Sequence, residues 1–152
     1  MATGSGNPVR RAGPHTFPCD TAILGDVRAL IKDFARSHGA SENAADDLVL
    51  ASDEAVSNVV THAFPEPLAG DPLPEFSLWL EATADAVTVI VRDSGGAFDP
   101  TARTPQDFDS WLARGKKGGL GLPLILTLVD DLRYARMEAE GRNEVRPSKR
   151  IR

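Results

Sequence analysis

The segment SDEAVSNVVTHAF, residues 52–64, carries the polar pattern from which the rest of the interpretation is built. Its alanine and valine residues recur at helical spacing, which predicts a helix with one buried side. Glu54 and Asn58 are four residues apart, so they lie on one side of that helix, one above the other. Thr61 and His62 fall near the same stripe. The segment therefore groups a carboxylate, an amide and an imidazole.

These polar side chains have a chemistry that fits a ligand cleft. Asn58 offers a neutral oxygen that suits a hard cation such as Mg²⁺. Glu54 can orient or deprotonate a nucleophile. The alternative interpretation is an ordinary solvated helix face, and this segment alone leaves both interpretations open.

A glycine-rich turn, DSGGAFDP at residues 93–100, directly follows a predicted strand. Asp93, at the end of a buried strand, can accept a hydrogen bond from the exocyclic amine of a base. Glycines such as Gly95 let the backbone approach a planar ligand closely. The alternative is a simple turn that ends the strand, because Asp, Ser, Gly and Pro are turn residues.

A second glycine-rich segment, GKKGGLGL at residues 115–122, leads into a third helix predicted through residues 122–129. Backbone N–H groups at a helix N-terminus attract anions, and glycine lacks the Cβ that would keep a phosphate away. Lys116 and Lys117 add positive charge. The alternative is a flexible loop before a helix, and the segment matches neither the Walker nor the Rossmann pattern.

Two helices are predicted before the first pair of strands. Apolar residues at helical spacing between 23 and 34 predict the first, with Asp20 as its N-cap and Gly39 as its left-handed C-terminal residue. Ser41 is expected to cap the second helix. The proline-rich loop at 65–74 is expected to end it.

Alternating apolar residues predict an antiparallel hairpin that joins residues 76–80 to residues 87–91. Residues 132–151 are expected to form a last hairpin around Gly141, Arg142 and Asn143. Pro147 cannot donate a hydrogen bond to a ladder, so the final segment is expected to be an edge strand or a frayed tail.

Helices and strands do not alternate strictly, which predicts an α+β fold. We expect a two-layer α/β sandwich with helices on one face of a mixed, mostly antiparallel sheet. Residues 1–14 are small and polar and are expected to form a disordered N-terminal tail. Residues 15–152 are expected to form a single domain.

Composition excludes several classes of protein. The 152 residues carry 17 Lys and Arg against 22 Asp and Glu, a net charge of −5, which argues against coating nucleic acid or an anionic membrane. Cys19 is the single cysteine, so the chain has no intrachain disulfide and no multi-cysteine metal site. No apolar run has the length of a membrane helix and no secretory signal is evident, so a cytoplasmic location is expected.

The order of the three segments is more specific than any one of them. E-x-x-x-N on a helix, D-x-G after a strand and G-x-G opening a helix together resemble the histidine-kinase-like ATPase superfamily, over about residues 15–140. Within it, the chain is similar to the small bacterial anti-sigma-factor serine/threonine kinases. That likeness rests on residues 52–64, on GGAFDP at 95–100 and on the short lid at about 101–117.

The resemblance implies a role for each residue that matches a motif. Glu54 is the implied general base, and Asn58 the implied ligand of a Mg²⁺ ion that bridges the phosphates. Asp93 is the implied partner of the adenine amino group, and Gly95 shapes the pocket beside it. For His62 two interpretations stay open, a phosphate contact and a satisfied histidine that faces the sheet.

The resemblance also implies a phosphate site in the second glycine-rich segment. Gly119, Leu120 and Gly121 are expected to offer backbone N–H groups to the phosphates. Either Lys116 or Lys117 is expected to reach the γ-phosphate, and the sequence does not decide which.

The function implied by the resemblance is that of an anti-sigma regulatory factor with serine/threonine protein kinase activity. It uses ATP and Mg²⁺, phosphorylates an antagonist protein and sequesters a sigma factor, and a homodimer is expected. Direct contact with nucleic acid or with a membrane is not expected. One alternative is a nucleotide-gated binding module of the same fold without kinase activity. The other is a plain interaction domain.

Overall fold

A computed structural model describes residues 8–96 and 122–151 as a layer of helices on a five-stranded sheet. The elements, in chain order, are β1 (Arg10–Pro18), α1 (Leu24–Ser37), α2 (Glu42–His62), β2 (Glu75–Ala82), β3 (Ala86–Asp93), α3 (Leu122–Leu128), β4 (Asp131–Met137) and β5 (Arg142–Arg150). The predicted α+β class is confirmed.

The predicted capping residues lie close to the ends of the first two helices, although Asp20 caps a 3₁₀ turn before α1 and the N-cap of α1 itself is Ile23. The Asp20 side chain accepts a hydrogen bond from the N–H of Ala22, at the start of a short 3₁₀ turn that leads into α1. Gly39 follows α1 with φ = +101°, a left-handed conformation that favours glycine. The Ser41 side chain accepts a hydrogen bond from the N–H of Ala44 and caps α2.

The sheet has the strand order β1-β2-β3-β5-β4, and all four of these pairings are antiparallel. We expected a mixed, mostly antiparallel sheet, and the described residues form antiparallel pairs throughout. The core lies between the helices and one sheet face, because alternate residues of β2 and β3 point to the same side. Its buried side chains include Val27, Ile31, Leu48, Val56, Phe76, Leu78, Leu80, Val87 and Val89.

Strand β1 begins earlier than the sequence predicts. The expected tail at 1–14 is wrong for residues 10–14, which lie in a strand that begins at Arg10 and whose first three residues, Arg10 to Ala12, pair with β2. Strand pairing uses backbone groups, so a polar segment can extend a sheet edge without an apolar pattern. A Cβ on Gly13 would lie 2.7 Å from the carbonyl oxygen of Leu78, so this close approach requires glycine.

Strand β5 lies inside the sheet, between β3 and β4, so the prediction of an edge strand or frayed tail is wrong. Pro147 pairs with Leu132 on β4. On the β3 side, the paired residues pass from Val145 to Ser148 without a pair at Pro147. The missing N–H therefore interrupts the ladder locally, and neighbouring pairs on both sides keep the strand in place.

The third helix, α3, brings one apolar side chain to the core below α2. Ile125 is 1% exposed. The ammonium group of Lys149 donates to the carbonyl of Leu128 at the end of α3 and lies 3.2 Å from a carboxylate oxygen of Asp47. Lys149 therefore ties α3 to α2. Among the described helices, none combines the length and apolar character needed to cross a membrane.

Candidate functional site

A cleft with about 460 Å³ of empty space lies between α2, the end of β3, α3 and the start of β5. Helix α2 supplies residues three and four apart, which form one stripe along the helix. The lining residues are Ala55, Asn58, Val59, His62, Ala63, Asp93, Gly96, Ile125, Asn143 and Val145. A mostly apolar cleft with a few convergent polar groups is typical of a small-molecule site.

Asp93 ends β3 and places a buried carboxylate in the cleft. It is 6% exposed. Its Oδ1 accepts hydrogen bonds from the N–H of Gly95 at 2.8 Å and from Nδ2 of Asn143 at 3.1 Å. Among the described residues, its Oδ2 accepts none. A buried carboxylate with one fixed oxygen can therefore present the other oxygen to a ligand donor.

The turn after β3 rests on the C-terminal end of α2. A Cβ on Gly95 would lie 2.3 Å from the carbonyl oxygen of Ala63, a separation that real Cβ atoms do not show. The adjacent Gly96 donates its N–H to that same oxygen at 3.0 Å. Gly95 therefore shapes the cleft because only glycine permits this contact between the turn and the helix.

Asn58 and Glu54 lie one helical turn apart on α2, and the structure places them differently. Asn58 lines the cleft and is half-buried, and its side chain makes no hydrogen bond to a described residue. Its amide oxygen is therefore available to a ligand. Glu54 is half-buried and does not line the cleft. Its carboxylate forms no ion pair within the described part of the chain.

His62 lines the same cleft one turn beyond Asn58. Its side chain is exposed, and it makes no hydrogen bond within residues 8–96 and 122–151. Among the described residues nothing satisfies the His62 ring, and the interpretation as a satisfied histidine that faces the sheet stays a prediction. The other interpretation, a contact with a ligand phosphate, stays a prediction.

Asn143 is a site residue that the sequence analysis does not identify. It is 3% exposed, lines the cleft and donates through Nδ2 to Asp93. Fifty residues separate Asn143 from Asp93 along the chain. In the sequence, Asn143 follows Gly141 and is therefore interpreted as part of a hairpin turn. The sequence does not show that Asn143 lies opposite the end of β3, because this pairing leaves no local pattern.

Part of the predicted site lies outside the described residues. This applies to the phosphate-binding segment and to the lid at 101–117. The residues concerned are Lys116, Lys117, Gly119, Leu120 and Gly121. Their roles stay predictions.

The negative charge of Asp93 also acts on the one cysteine. Burial, together with the negative charges of Asp93 and Glu75, raises the pKa of the Cys19 thiol to about 11. Cys19 is therefore a neutral thiol at physiological pH and does not act as a nucleophile.

Several known proteins are similar to this chain in sequence. A family described as the histidine kinase-like ATPase domain matches residues 17–149. Serine-protein kinase RsbW of Halalkalibacterium halodurans is 34% identical over 119 residues, which cover 76% of this chain and 70% of the relative. RsbW of Listeria monocytogenes is 34% identical over 121 residues, which cover 77% of this chain and 74% of the relative. RsbW of Bacillus subtilis is 31% identical over 121 residues, which cover 76% of this chain and 72% of the relative.

A solved structure has a similar fold. The crystal structure of the RsbU and RsbW domains of a Mycobacterium tuberculosis protein matches with a TM-score of 0.56 and 20% sequence identity. The match covers 95% of this chain and 32% of that chain, so this chain spans about a third of the other. At this identity the likeness supports the fold alone.

Proposed function

This chain belongs to the histidine kinase-like ATPase family, and from that membership we propose that it is an ATP-dependent serine-protein kinase. The resemblance inferred from the three motifs is confirmed by the family match and by the curated relatives. Those relatives are serine-protein kinases, and each is covered by this chain over more than two thirds of its length. Use of ATP follows from the family.

The observation that carries the proposal is the meeting of Asn58 and Asp93 in one cleft. Asn58 comes from the middle of α2 and Asp93 from the end of β3, so the fold joins two of the three sequence motifs around one space. The apolar lining beside Asp93 suits an adenine base. The phosphates are then expected on the Asn58 side of the cleft.

Asp93 is the proposed reader of the adenine amino group. Its Oδ2 accepts no hydrogen bond from a described residue, and a ligand without a matching donor would leave that side of a buried carboxylate unpaired. This asymmetry is the physical source of selectivity, because an unpaired buried group opposes binding more than a satisfied one favours it.

Asn58 is the proposed protein ligand of Mg²⁺, which neutralises charge on the transferring phosphoryl group when bound. Within the described residues, no cluster of three or more His, Cys, Asp or Glu side chains could hold a metal ion alone. A neutral amide oxygen supplemented by phosphate oxygens and water is a common arrangement for Mg²⁺. The free amide of Asn58 fits that role.

Glu54 is the proposed general base, one helical turn before Asn58. Its carboxylate has no ion-pair partner among the described residues, so it is available to accept a proton from a substrate hydroxyl. Backbone N–H groups of Gly119, Leu120 and Gly121, with Lys116 or Lys117, are proposed to hold the phosphates. These roles rest on the motif match.

The proposed substrate is a serine or threonine on an antagonist protein, and the proposed second partner is a sigma factor that this chain sequesters. Both partners, and a homodimer, come from the resemblance to anti-sigma-factor kinases. They go beyond the names of the relatives, which state serine-protein kinase activity.

The test of this function is phosphate transfer with purified proteins. The chain is incubated with Mg²⁺, γ-labelled ATP and a small antagonist domain encoded beside its gene, and labelled serine or threonine is quantified. Glu54→Gln is expected to slow transfer about 10²- to 10⁴-fold while ATP still binds. The matched control, Glu66→Gln, changes an exposed carboxylate in the loop after α2 and is expected to retain the full rate.

The outcomes separate the two functions under consideration. Label on the antagonist supports the kinase. ATP binding without transfer supports the nucleotide-gated binding module. A transfer rate in Glu54→Gln equal to that of the unmodified chain removes the base role from Glu54 and leaves the kinase assignment intact.

A further inference from the structure

The buried amide of Asn143 has all its hydrogen-bonding groups engaged by the protein. Its Nδ2 donates to Asp93 Oδ1 at 3.1 Å, to the carbonyl of Gly95 at 3.3 Å and to the carbonyl of Gly96 at 2.7 Å. Its Oδ1 accepts from Tyr134 and Arg136. An asparagine amide has two donor hydrogens and one acceptor oxygen, so this set uses its full capacity. Asn143 therefore lines the cleft without a free group for a ligand.

The orientation of this amide is determined by strand β4. The hydroxyl of Tyr134 donates to Asn143 Oδ1 at 2.7 Å, and the guanidinium of Arg136 donates to the same atom at 3.2 Å. A guanidinium can only donate, so it has to face the oxygen of the amide. A rotated amide would place its oxygen against the Asp93 carboxylate and its NH₂ against Arg136. Tyr134 and Arg136 thus keep the NH₂ group directed at Asp93.

This orientation selects which oxygen of Asp93 faces a ligand. Asp93 Oδ1 receives both the Gly95 N–H and the Asn143 Nδ2–H, so the carboxylate is fixed in rotation. Asp93 therefore meets a ligand with one carboxylate oxygen already paired.

The same amide holds the glycine turn from the side opposite α2. The carbonyls of Gly95 and Gly96 accept from Asn143, and the guanidinium of Arg136 also donates to the Gly95 carbonyl at 2.9 Å. On its other side, the turn contacts Ala63 at the end of α2. The turn is therefore clamped between α2 and the β4–β5 hairpin.

We propose that Asn143, oriented by Tyr134 and Arg136, is a positioning residue that determines the selectivity of the cleft for a 6-amino purine. It acts through the Asp93 carboxylate and the glycine turn, and it does not touch the nucleotide. This inference rests on the proposed binding of ATP. It adds to that function the hydrogen-bond network that makes adenine recognition selective.

The test compares two nucleotides that differ at one position of the base. Isothermal calorimetry measures Kd for ATP and for inosine triphosphate, which carries an oxygen in place of the 6-amino group. The unmodified chain is expected to bind ATP at least about tenfold more tightly, because inosine has a carbonyl acceptor at position 6, where adenine offers Asp93 an amino donor. Asn143→Ala is expected to reduce that preference about tenfold, and Tyr134→Phe about threefold.

The control variant is Ser148→Ala on the same strand. Ser148 forms a side-chain hydrogen bond with Thr88 at 2.9 Å and does not line the cleft. Its loss is expected to leave the ATP-to-inosine preference unchanged. Circular dichroism melts identify a temperature at which each variant is still folded, and Kd is measured there. If Asn143→Ala does not fold, the nucleotide preference of Tyr134→Phe tests the inference.

Each outcome supports or overturns the inference. A selective reduction of the preference in both variants supports it. Equal weakening of both nucleotides, or no change, indicates a merely structural role and overturns it while the proposed function stands. An unmodified chain that binds both nucleotides equally contradicts adenine recognition by Asp93 and overturns this inference, whereas the proposed kinase function is decided separately by the phosphate-transfer assay.

Discussion

Gly96 donates its backbone N–H to the carbonyl oxygen of Ala63 over 3.0 Å, so the turn after β3 caps the C-terminal end of α2. Carbonyls in the last turn of a helix have no partner within the helix, and this contact satisfies one of them. Two segments that are separate in the sequence, the helix with Asn58 and the turn with Asp93, are therefore joined through their backbones. The width of the cleft between them depends on this junction.

Gly95→Ala is expected to destabilise the fold, since its Cβ would lie 2.3 Å from a backbone oxygen of Ala63 that cannot rotate away. The expected loss is about 1–3 kcal/mol in the free energy of unfolding, typical of overpacking. Gly96→Ala is the matched control, because among the described residues no atom beyond the chain neighbours lies within 4 Å of a Cβ placed on Gly96. Urea unfolding of both variants measures the difference, and equal stabilities would contradict the close contact.

Asp93→Ala is expected to abolish ATP binding, because the cleft then lacks the buried acceptor for the adenine amino group. A thermal-shift series shows this directly, since ATP at 100 times Kd stabilises a binding-competent protein by about 2.7 kcal/mol. Asp131→Ala, which changes an exposed aspartate on β4, is expected to keep the full shift. Micromolar affinity of Asp93→Ala in calorimetry would refute the role.

Asn58→Ala is expected to remove the contribution of Mg²⁺ to ATP affinity. In the unmodified chain, Kd measured with Mg²⁺ is expected to be lower than Kd measured with EDTA, and in the variant the two values are expected to converge. Asn43→Ala is the control on the same helix, since Asn43 is exposed in the first turn of α2. A preserved effect of Mg²⁺ in Asn58→Ala would show that other groups hold the ion.

The Cys19 thiol is expected to react slowly with iodoacetamide in the folded protein. Its pKa is raised from 9.0 to about 11, so its thiolate fraction near neutral pH is about a hundredfold below that of an unperturbed thiol. The folded state disfavours the thiolate, and stability is therefore expected to fall as pH rises above about 9. Mass spectrometry of alkylation against pH, in native buffer and in urea, tests both the midpoint and its origin. Identical profiles in the two solvents would contradict the effect of folding.

The sequence by itself determined those features that depend on neighbouring residues. Helical and alternating periodicity located α1, α2, β2 and β3. Gly39 marked the end of α1 and the Ser41 side chain marked the start of α2. The motifs also predicted Asn58, Asp93 and Gly95 as site residues, because each residue type carries its chemistry in its own side chain or backbone.

Only the tertiary structure decided which distant segments meet. A strand from Arg10 and the interior place of β5 both result from backbone pairing across the sheet, which leaves no mark in local periodicity. The role of Asn143 depends on β5 lying beside β3, where one amide reaches a carboxylate fifty residues away. Local sequence encodes the chemistry of a residue, whereas its partners are set by the order in which the strands pair.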